Sequence, residues 1–253
     1  MIRLFISLFI SIFTLILPVT QARSEDFQVA VAANFTNAAT DIAAAFEKET
    51  GDKPVLSFGS TGNFKTQIEN GAPFMALLAA DDTTPMALEK DGYGVEGTRF
   101  TYAQGVLVLW SATEGYLDDK ASVLVDKKFK FLAVANPDLA PYGFAGFEFL
   151  KKLKLVPGIE SKIVTGNNIT DTFNSAKSGN ADLGLIAWSQ VCKGNKLTEG
   201  SVYQVPPEDY TPIRQDAVLL KAGADSKPTK AFLEYLTTDT AKEIIKNYCY
   251  TLP

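Results

Sequence analysis

The chain has 253 residues, with 24 Lys and Arg against 29 Asp and Glu, a net charge of −5 and no histidine. The acidic balance gives no basic face for nucleic acid or an anionic membrane. Without histidine, Ser–His, thiolate–imidazole and His-ligated metal chemistries are excluded, and the length suits one large domain or two lobes of ~100 residues.

The chain opens on Arg3, an apolar run from Leu4 to Leu17, Pro18, and a small-residue stretch ending Thr20-Gln21-Ala22. That is the charged, apolar and cleavage order of a secretory signal peptide, assigned to residues 1–22. The apolar run falls short of the ~20 residues that a membrane span needs. No cysteine stands near the cleavage point to carry a lipid. Export places the two cysteines, Cys192 and Cys249, in an oxidising compartment, where they are either two buried thiols or, as expected here, a disulfide.

Beyond the leader, short β-type runs alternate with amphipathic helical stretches. Phe27, Val29 and Val31 alternate as in a strand; Ala38, Ile42, Ala45 and Phe46 follow helical spacing up to Gly51, a good residue for ending a helix. Residues 54–58 read as a strand, 63–70 as a helix ending at Gly71, 74–80 as a buried strand and 85–91 as a helix. In the second half, 105–110, 129–135, 162–164, 182–187 and 217–220 are strand-like. Residues 144–153, 171–178 and 229–248 are helical, the last read as mostly one stretch. Strand–helix alternation implies crossover connections and mostly parallel sheets, hence an α/β fold.

In such sheets ligands bind at the carboxyl ends of strands, beside helix N-termini. Four strand-to-helix loops qualify: Ala33-Asn34-Phe35-Thr36-Asn37, Gly59-Ser60-Thr61-Gly62-Asn63, Ala140-Pro141-Tyr142-Gly143 and Gly166-Asn167-Asn168-Ile169-Thr170. None contains Lys or Arg. Taken singly, their Asn, Ser and Thr are ordinary helix caps and their Gly ordinary turn residues. Gly59-Ser60-Thr61-Gly62 lacks the Lys of a nucleotide phosphate loop. Taken together, they would aim several N–H groups and helix dipoles at one crevice, which suits an ionised oxyanion held without a counter-charge.

Four segments carry a resemblance: AANFTNAATDIAAAFEKETG from Ala32, SFGSTGNFKTQIENGAP from Ser57, AVANPDLAPYG from Ala133 and PIRQDAVLL from Pro212. In this order, spread over nearly the whole mature chain, they resemble the periplasmic molybdate-binding proteins of ABC transporters. The resemblance implies a two-lobed periplasmic-binding-protein fold, each lobe a mostly parallel sheet flanked by helices, joined by two hinge strands. Residues 24–104 plus 212–253 would form lobe 1 and 105–211 lobe 2, with 105–110 and 212–220 holding the crossings. It also implies a monomeric carrier in the periplasm that hands molybdate or tungstate to a membrane permease. The carrier would use no cofactor and no direct protein–metal ligand, since the oxyanion is held through its oxygens. Carried over by position, the ligand-holding residues would be Asn34 and Thr61 through their side chains, Ser60 beside them, and Tyr142 and Ile169 through backbone N–H groups. The chain departs from the family pattern in two places. Ala187 stands where many members have a tyrosine that donates to the anion, with Tyr142 as its substitute. Phe74 and Met75 follow Pro73 where an aspartate is usual.

Two other readings remain open from the residues. The same fold could take sulfate or phosphate, although phosphate asks for an acceptor and the four loops contain no Asp or Glu. A periplasmic hydrolase or transferase would need a carboxylate or Lys as base. Asp171 and Asp182 are available, but read better as first-turn and strand-edge residues. The expectation is therefore a binding protein and not an enzyme.

Overall fold

The computed structural model describes residues 26–253, so the leader assigned to 1–22 lies outside the described residues. The chain runs through β1 (Asp26–Ala32), α1 (Thr36–Thr50), β2 (Lys53–Gly59), α2 (Thr61–Glu69), β3 (Ala76–Leu78), α3 (Thr83–Lys90) and β4 (Phe100–Gly105). One residue later it enters a second sheet. There it forms β5 (Leu107–Ser111), α4 (Ser122–Val125), β6 (Leu132–Ala135), α5 (Pro141–Lys152), β7 (Ile163–Gly166), α6 (Ile169–Lys177) and β8 (Leu183–Ala187). A two-stranded ribbon, β9 (Cys192–Lys193) with β10 (Lys196–Leu197), and then β11 (Ser201–Gln204) follow. The chain returns as β12 (Ile213–Leu219), α7 (Lys227–Tyr235) and α8 (Asp239–Asn247).

The two five-stranded sheets have the orders β2-β1-β3-β12-β4 and β11-β5-β8-β6-β7. In the first, β1 is parallel to β2 and β3, while β12 is antiparallel to both of its neighbours, β3 and β4. In the second, β6 is parallel to β7 and β8, and β5 is antiparallel to β8 and β11. Each sheet is thus parallel except for one strand, and that strand is the one the chain enters on arriving from the other sheet. The carboxyl ends of the like-directed strands therefore share an edge with the β4–β5 and β11–β12 crossings.

Local sequence explains the elements around this edge. In α1, Ala38, Ala39, Ile42, Ala43 and Phe46 are buried along one face, at the three- and four-residue spacing of an amphipathic helix. Gly51 then ends the helix at φ 82°, a conformation that side chains disfavour. Phe46 packs edge-on against Phe27, Phe232 and Tyr235, tying α1 and α7 to β1. Burying one such ring contributes roughly 1.5–3 kcal/mol. The other core packs Leu107, Leu109, Leu132, Val134, Phe149 and Leu185 between β5, β6, β8 and α5.

Two expectations needed revision. The helical stretch 229–248 is two helices, because Thr238 is extended and caps α8 by accepting from Ala241 N–H. The apolar run 105–110 is not one strand: Gly105 ends β4 in the first sheet and Leu107 opens β5 in the second. Strands β4, β9, β10 and β11 and the short α4 had no distinct sequence signal. Cys192 in the ribbon is bonded to Cys249 beyond α8, with a sequence separation of 57. Gly194 N–H adds a bond to the Asn247 carbonyl at 2.8 Å beside it.

Candidate functional site

At the shared edge, β1 leads into a 3-10 turn (Ala33–Phe35), and β2 and β7 lead through short loops into α2 and α6, while a longer loop joins β6 to α5. These starts enclose a small cavity lined by Asn34, Ser60, Thr61, Tyr142 and Ile169, together with Ala33, Gly59, Ala80, Ala140 and Pro141. All five residues proposed from sequence meet there. The lining contains neither a basic nor an acidic side chain.

Each helix start leaves an amide for the cavity, because the first N–H groups of a helix have no partner inside it. In α6, the Asn168 side chain accepts from Thr170 N–H and Asp171 N–H, which leaves the first amide, that of Ile169. In α5, Pro141 has no N–H and Gly143 donates to the Ala140 carbonyl, so Tyr142 offers the amide. In α2, Gly62 donates to the Leu139 carbonyl at 2.9 Å, leaving Thr61. The helix dipoles add partial positive charge at these three points.

The side chains divide differently from expectation. Ser60 precedes α2 but makes no capping bond, and its Oγ is a buried polar atom without a hydrogen-bond partner. The neighbouring Thr61 hydroxyl accepts from Ala80 N–H at 3.0 Å and so ties the start of α2 to the end of β3. Asn34 was expected to donate from its side chain. Its Nδ2 instead donates to Gln215 Oε1 and to the Tyr250 hydroxyl, each at 3.0 Å, which uses both amide protons. The Tyr142 hydroxyl accepts from Gln215 Nε2 at 3.4 Å. Gly105 makes room for it: a Cβ there would stand 2.1 Å from that hydroxyl and 2.7 Å from Gln215 Nε2.

Sequence reading missed the residues behind this wall. Gln215, Tyr102, Tyr250 and Ser189 are all buried, and each bonds to Asn34, Tyr142 or Gln215. Only Gln215 carried a signal, as a member of the 212–220 segment that the resemblance assigned to a crossing. Burial pushes the Tyr102, Tyr142 and Tyr250 phenols far above their usual range, with the Asp216 and Asp81 carboxylates adding to this for Tyr102. All three keep their protons and can donate at neutral pH.

The two sheets' loops also bond to each other across the edge: Ser189 Oγ to Asn34 O at 3.1 Å, Thr170 Oγ1 to Ala33 O at 3.3 Å, and Gly62 N–H to Leu139 O. A wider cleft of about 380 Å³ opens beside the small cavity. It is lined by Asp81, Asp82 and Asp138 against a single cation, Arg214. Three carboxylates make it a poor place for an anion, so the smaller, neutral cavity is the better candidate despite its size. Among the described residues no group of three His, Cys, Asp or Glu side chains could hold a metal ion.

Comparison with known proteins agrees with this geometry. Residues 27–251 match the model of the bacterial extracellular solute-binding protein family. The chain is 53% identical to the molybdate-binding protein ModA of Azotobacter vinelandii, over 91% of this chain and 92% of that protein. It is 46% identical to ModA of Rhodobacter capsulatus, over 87% and 86%. The solved structure of an Azotobacter vinelandii periplasmic molybdate-binding protein superposes with a TM-score of 0.87 at 37% identity, covering 90% of this chain and 99% of that one. With its two α/β sheets, neutral cavity and this extent of identity, the chain belongs to the bacterial extracellular solute-binding proteins, in the family of these molybdate-binding proteins.

Proposed function

We propose that this protein captures molybdate in the small cavity, as a periplasmic carrier that delivers it to the membrane permease of an ABC importer. The observation that carries the reading is the Ser60 hydroxyl, buried and unpartnered in a cavity edged by three helix N-termini and lined by no charged side chain. A buried polar group left unpaired costs about 1–3 kcal/mol, so an unpaired hydroxyl among amide donors fits a wall built to meet an acceptor. The relatives, themselves molybdate-binding proteins, support the choice of molybdate.

In this reading the donors are the N–H groups of Thr61, Tyr142 and Ile169 and the hydroxyls of Ser60 and Tyr142. The Asn34 side chain positions its neighbours. Tungstate, with the same charge and shape, is held by the same groups. Lobe 1 comprises residues 26–105 plus 212–253 and lobe 2 residues 106–211, Gly105 belonging with β4, the first 22 residues being removed on export and the carrier working as a monomer. The Gly62, Ser189 and Thr170 bonds hold the lobes closed over the ligand.

Calorimetric titration of the mature protein with molybdate, tungstate, sulfate and phosphate tests the proposal. Molybdate and tungstate at a hundredfold excess over Kd are expected to add about 2.7 kcal/mol of stability, on the order of 5–10 °C in Tm. An equal shift with sulfate would refute the assignment.

A further inference from the structure

We propose that Gln215, which lies behind the cavity wall, sets the hydrogen-bond polarity of the site, so that Tyr142 offers the ligand a proton and not a lone pair. The inference rests on the oxyanion reading above and assigns its selectivity to a positioning residue outside the lining.

The direction of each bond follows from one obligate acceptor. The Asn34 backbone carbonyl can only accept, and the Tyr250 hydroxyl lies 2.7 Å from it, so Tyr250 donates there. The Tyr250 oxygen is then left to accept, and Asn34 must turn its Nδ2 toward it, at 3.0 Å. The second Nδ2 proton points at Gln215, which must present Oε1 to receive it, at 3.0 Å. The Tyr102 hydroxyl shares its single proton between the Ala79 carbonyl at 2.9 Å and the same Oε1 at 3.1 Å, so the orientation of Gln215 rests on the Asn34 bond. With Oε1 so placed, Gln215 Nε2 faces the Tyr142 hydroxyl and donates to it. A hydroxyl that accepts at this point keeps its own proton for another partner, and Tyr142 lines the cavity.

The backbone holds Gln215 in this position. It stands on β12 with no exposure, at a shift of register between Gln215 and Asp216 in the pairing with β4. Such a bulge re-aims side chains that a regular strand would send to strictly opposite faces. Asp216 is committed to Thr101 and Arg99, while Gln215 reaches both Asn34 and Tyr142. A wall of donors alone favours a fully ionised oxyanion and disfavours one that retains a proton and needs an acceptor.

The test compares wild type, Q215E, Y142F and the double variant by calorimetric titration with sodium molybdate and with sodium phosphate, each fold checked by Tm. In Q215E the carboxylate only accepts, so it draws the Tyr142 proton away from the cavity and leaves a lone pair there. Q215E and Y142F are each expected to lose about tenfold or more in molybdate affinity. The double variant should bind no worse than Q215E, because the proton is already withdrawn. The preference for molybdate over monohydrogen phosphate should narrow in Q215E, a change that general loosening of the site would not produce. Losses that multiply in the double variant would mean that the introduced carboxylate acts by charge alone and would overturn the proposal, as would wild-type affinity in Q215E. Should Q215E not fold, Y142F decides: unchanged molybdate affinity shows that the phenol offers no proton, and the proposal fails. Absence of molybdate binding by wild type would instead remove the oxyanion reading itself.

Discussion

Gly62 donates its backbone N–H to the Leu139 carbonyl at 2.9 Å, joining the first turn of α2 to the loop before α5, backbone to backbone across the cleft. The approach depends on glycine, since a Cβ at position 62 would stand 3.0 Å from Leu139 Cα and 3.1 Å from its oxygen. Gly62→Ala should therefore hold the two sides apart without harming either. Crowding of this kind costs about 1–3 kcal/mol, and the cost falls on closure. Molybdate affinity is expected to drop by roughly 5- to 150-fold, while the Tm of the ligand-free protein stays level or rises with the better helix former. Equal affinity in the two proteins would show that this contact has no part in closure.

Ser60→Ala separates a ligand-binding hydroxyl from a capping one. Ser60 makes no capping bond and its Oγ has no partner, so its removal takes nothing from the ligand-free fold and can even stabilise it. Loss of a hydrogen bond to a charged ligand costs ~1.5–3 kcal/mol, roughly 10- to 150-fold in affinity. Thr61→Ala should behave in the opposite sense. The Thr61 hydroxyl holds Ala80 N–H, and its loss should lower the ligand-free Tm. Melting and titration of both variants check this. A Ser60→Ala protein that melts early and binds normally would return Ser60 to the role of a helix cap.

The four loops were legible as a set because strand ends, cap-type residues and helix starts leave local marks: Asn168 caps α6 and Gly51 ends α1 as their types suggest. Which donors remain for a ligand was not legible. That depends on partners far along the chain, since Asn34 gives its side-chain protons to residues 181 and 216 positions away. The resemblance therefore assigned Asn34 and Thr61 as side-chain donors, whereas the geometry favours Ser60 and Tyr142. The resemblance placed a crossing within 105–110, but the residue pattern alone did not mark the passage between sheets at Val106. Residues 102–103 and 107–110 are all buried, so no change of pattern marks where one sheet ends and the next begins.

Asp81 gives a pH dependence. Burial raises its carboxyl above the ordinary 3.8, against the lowering effect of bonds from Thr84 and Thr83, with Asp82 adding to the rise. A carboxyl with a raised folded value binds its proton more tightly folded than unfolded. Its contribution to stability is therefore fully present below pH 3.8 and is lost as pH rises through the higher folded value. Asp81→Asn keeps an acceptor for Thr84 N–H, which lies 2.6 Å from Oδ1, and cannot ionise. The variant should be more stable than wild type near neutrality, with the gap closing as pH falls toward 4. Melting curves from pH 3 to 8 check the sign, and a gap that widens in acid would contradict it.

The Cys192–Cys249 bond closes a segment with a sequence separation of 57 and ties the ribbon beside β8 to the tail that follows α8. The chain-entropy model credits such a loop with roughly 4 kcal/mol as an upper figure, by restricting the unfolded chain. At about 2–4 °C per kcal/mol for a protein of this size, reduction or the double Cys→Ser variant should lower Tm by roughly 8–16 °C. The effect should also reach the site. Cys249 precedes Tyr250, whose hydroxyl bonds to Asn34 at both its carbonyl and its side-chain amide. Freeing the tail lets that tyrosine withdraw, and Asn34 then loses a partner on the face away from the cavity. Molybdate should therefore bind several-fold more weakly to the double variant even at temperatures where it remains folded, and added ligand should restore part of the lost Tm. A control at the same tail distinguishes stability from positioning. Tyr250→Phe keeps the disulfide and removes only the hydroxyl, so it should weaken binding with a smaller loss of Tm than the double Cys→Ser protein shows. Thiol titration of the unreduced protein comes first: two reactive thiols there would mean that the bond is absent, and normal binding by both variants would detach the tail from the site.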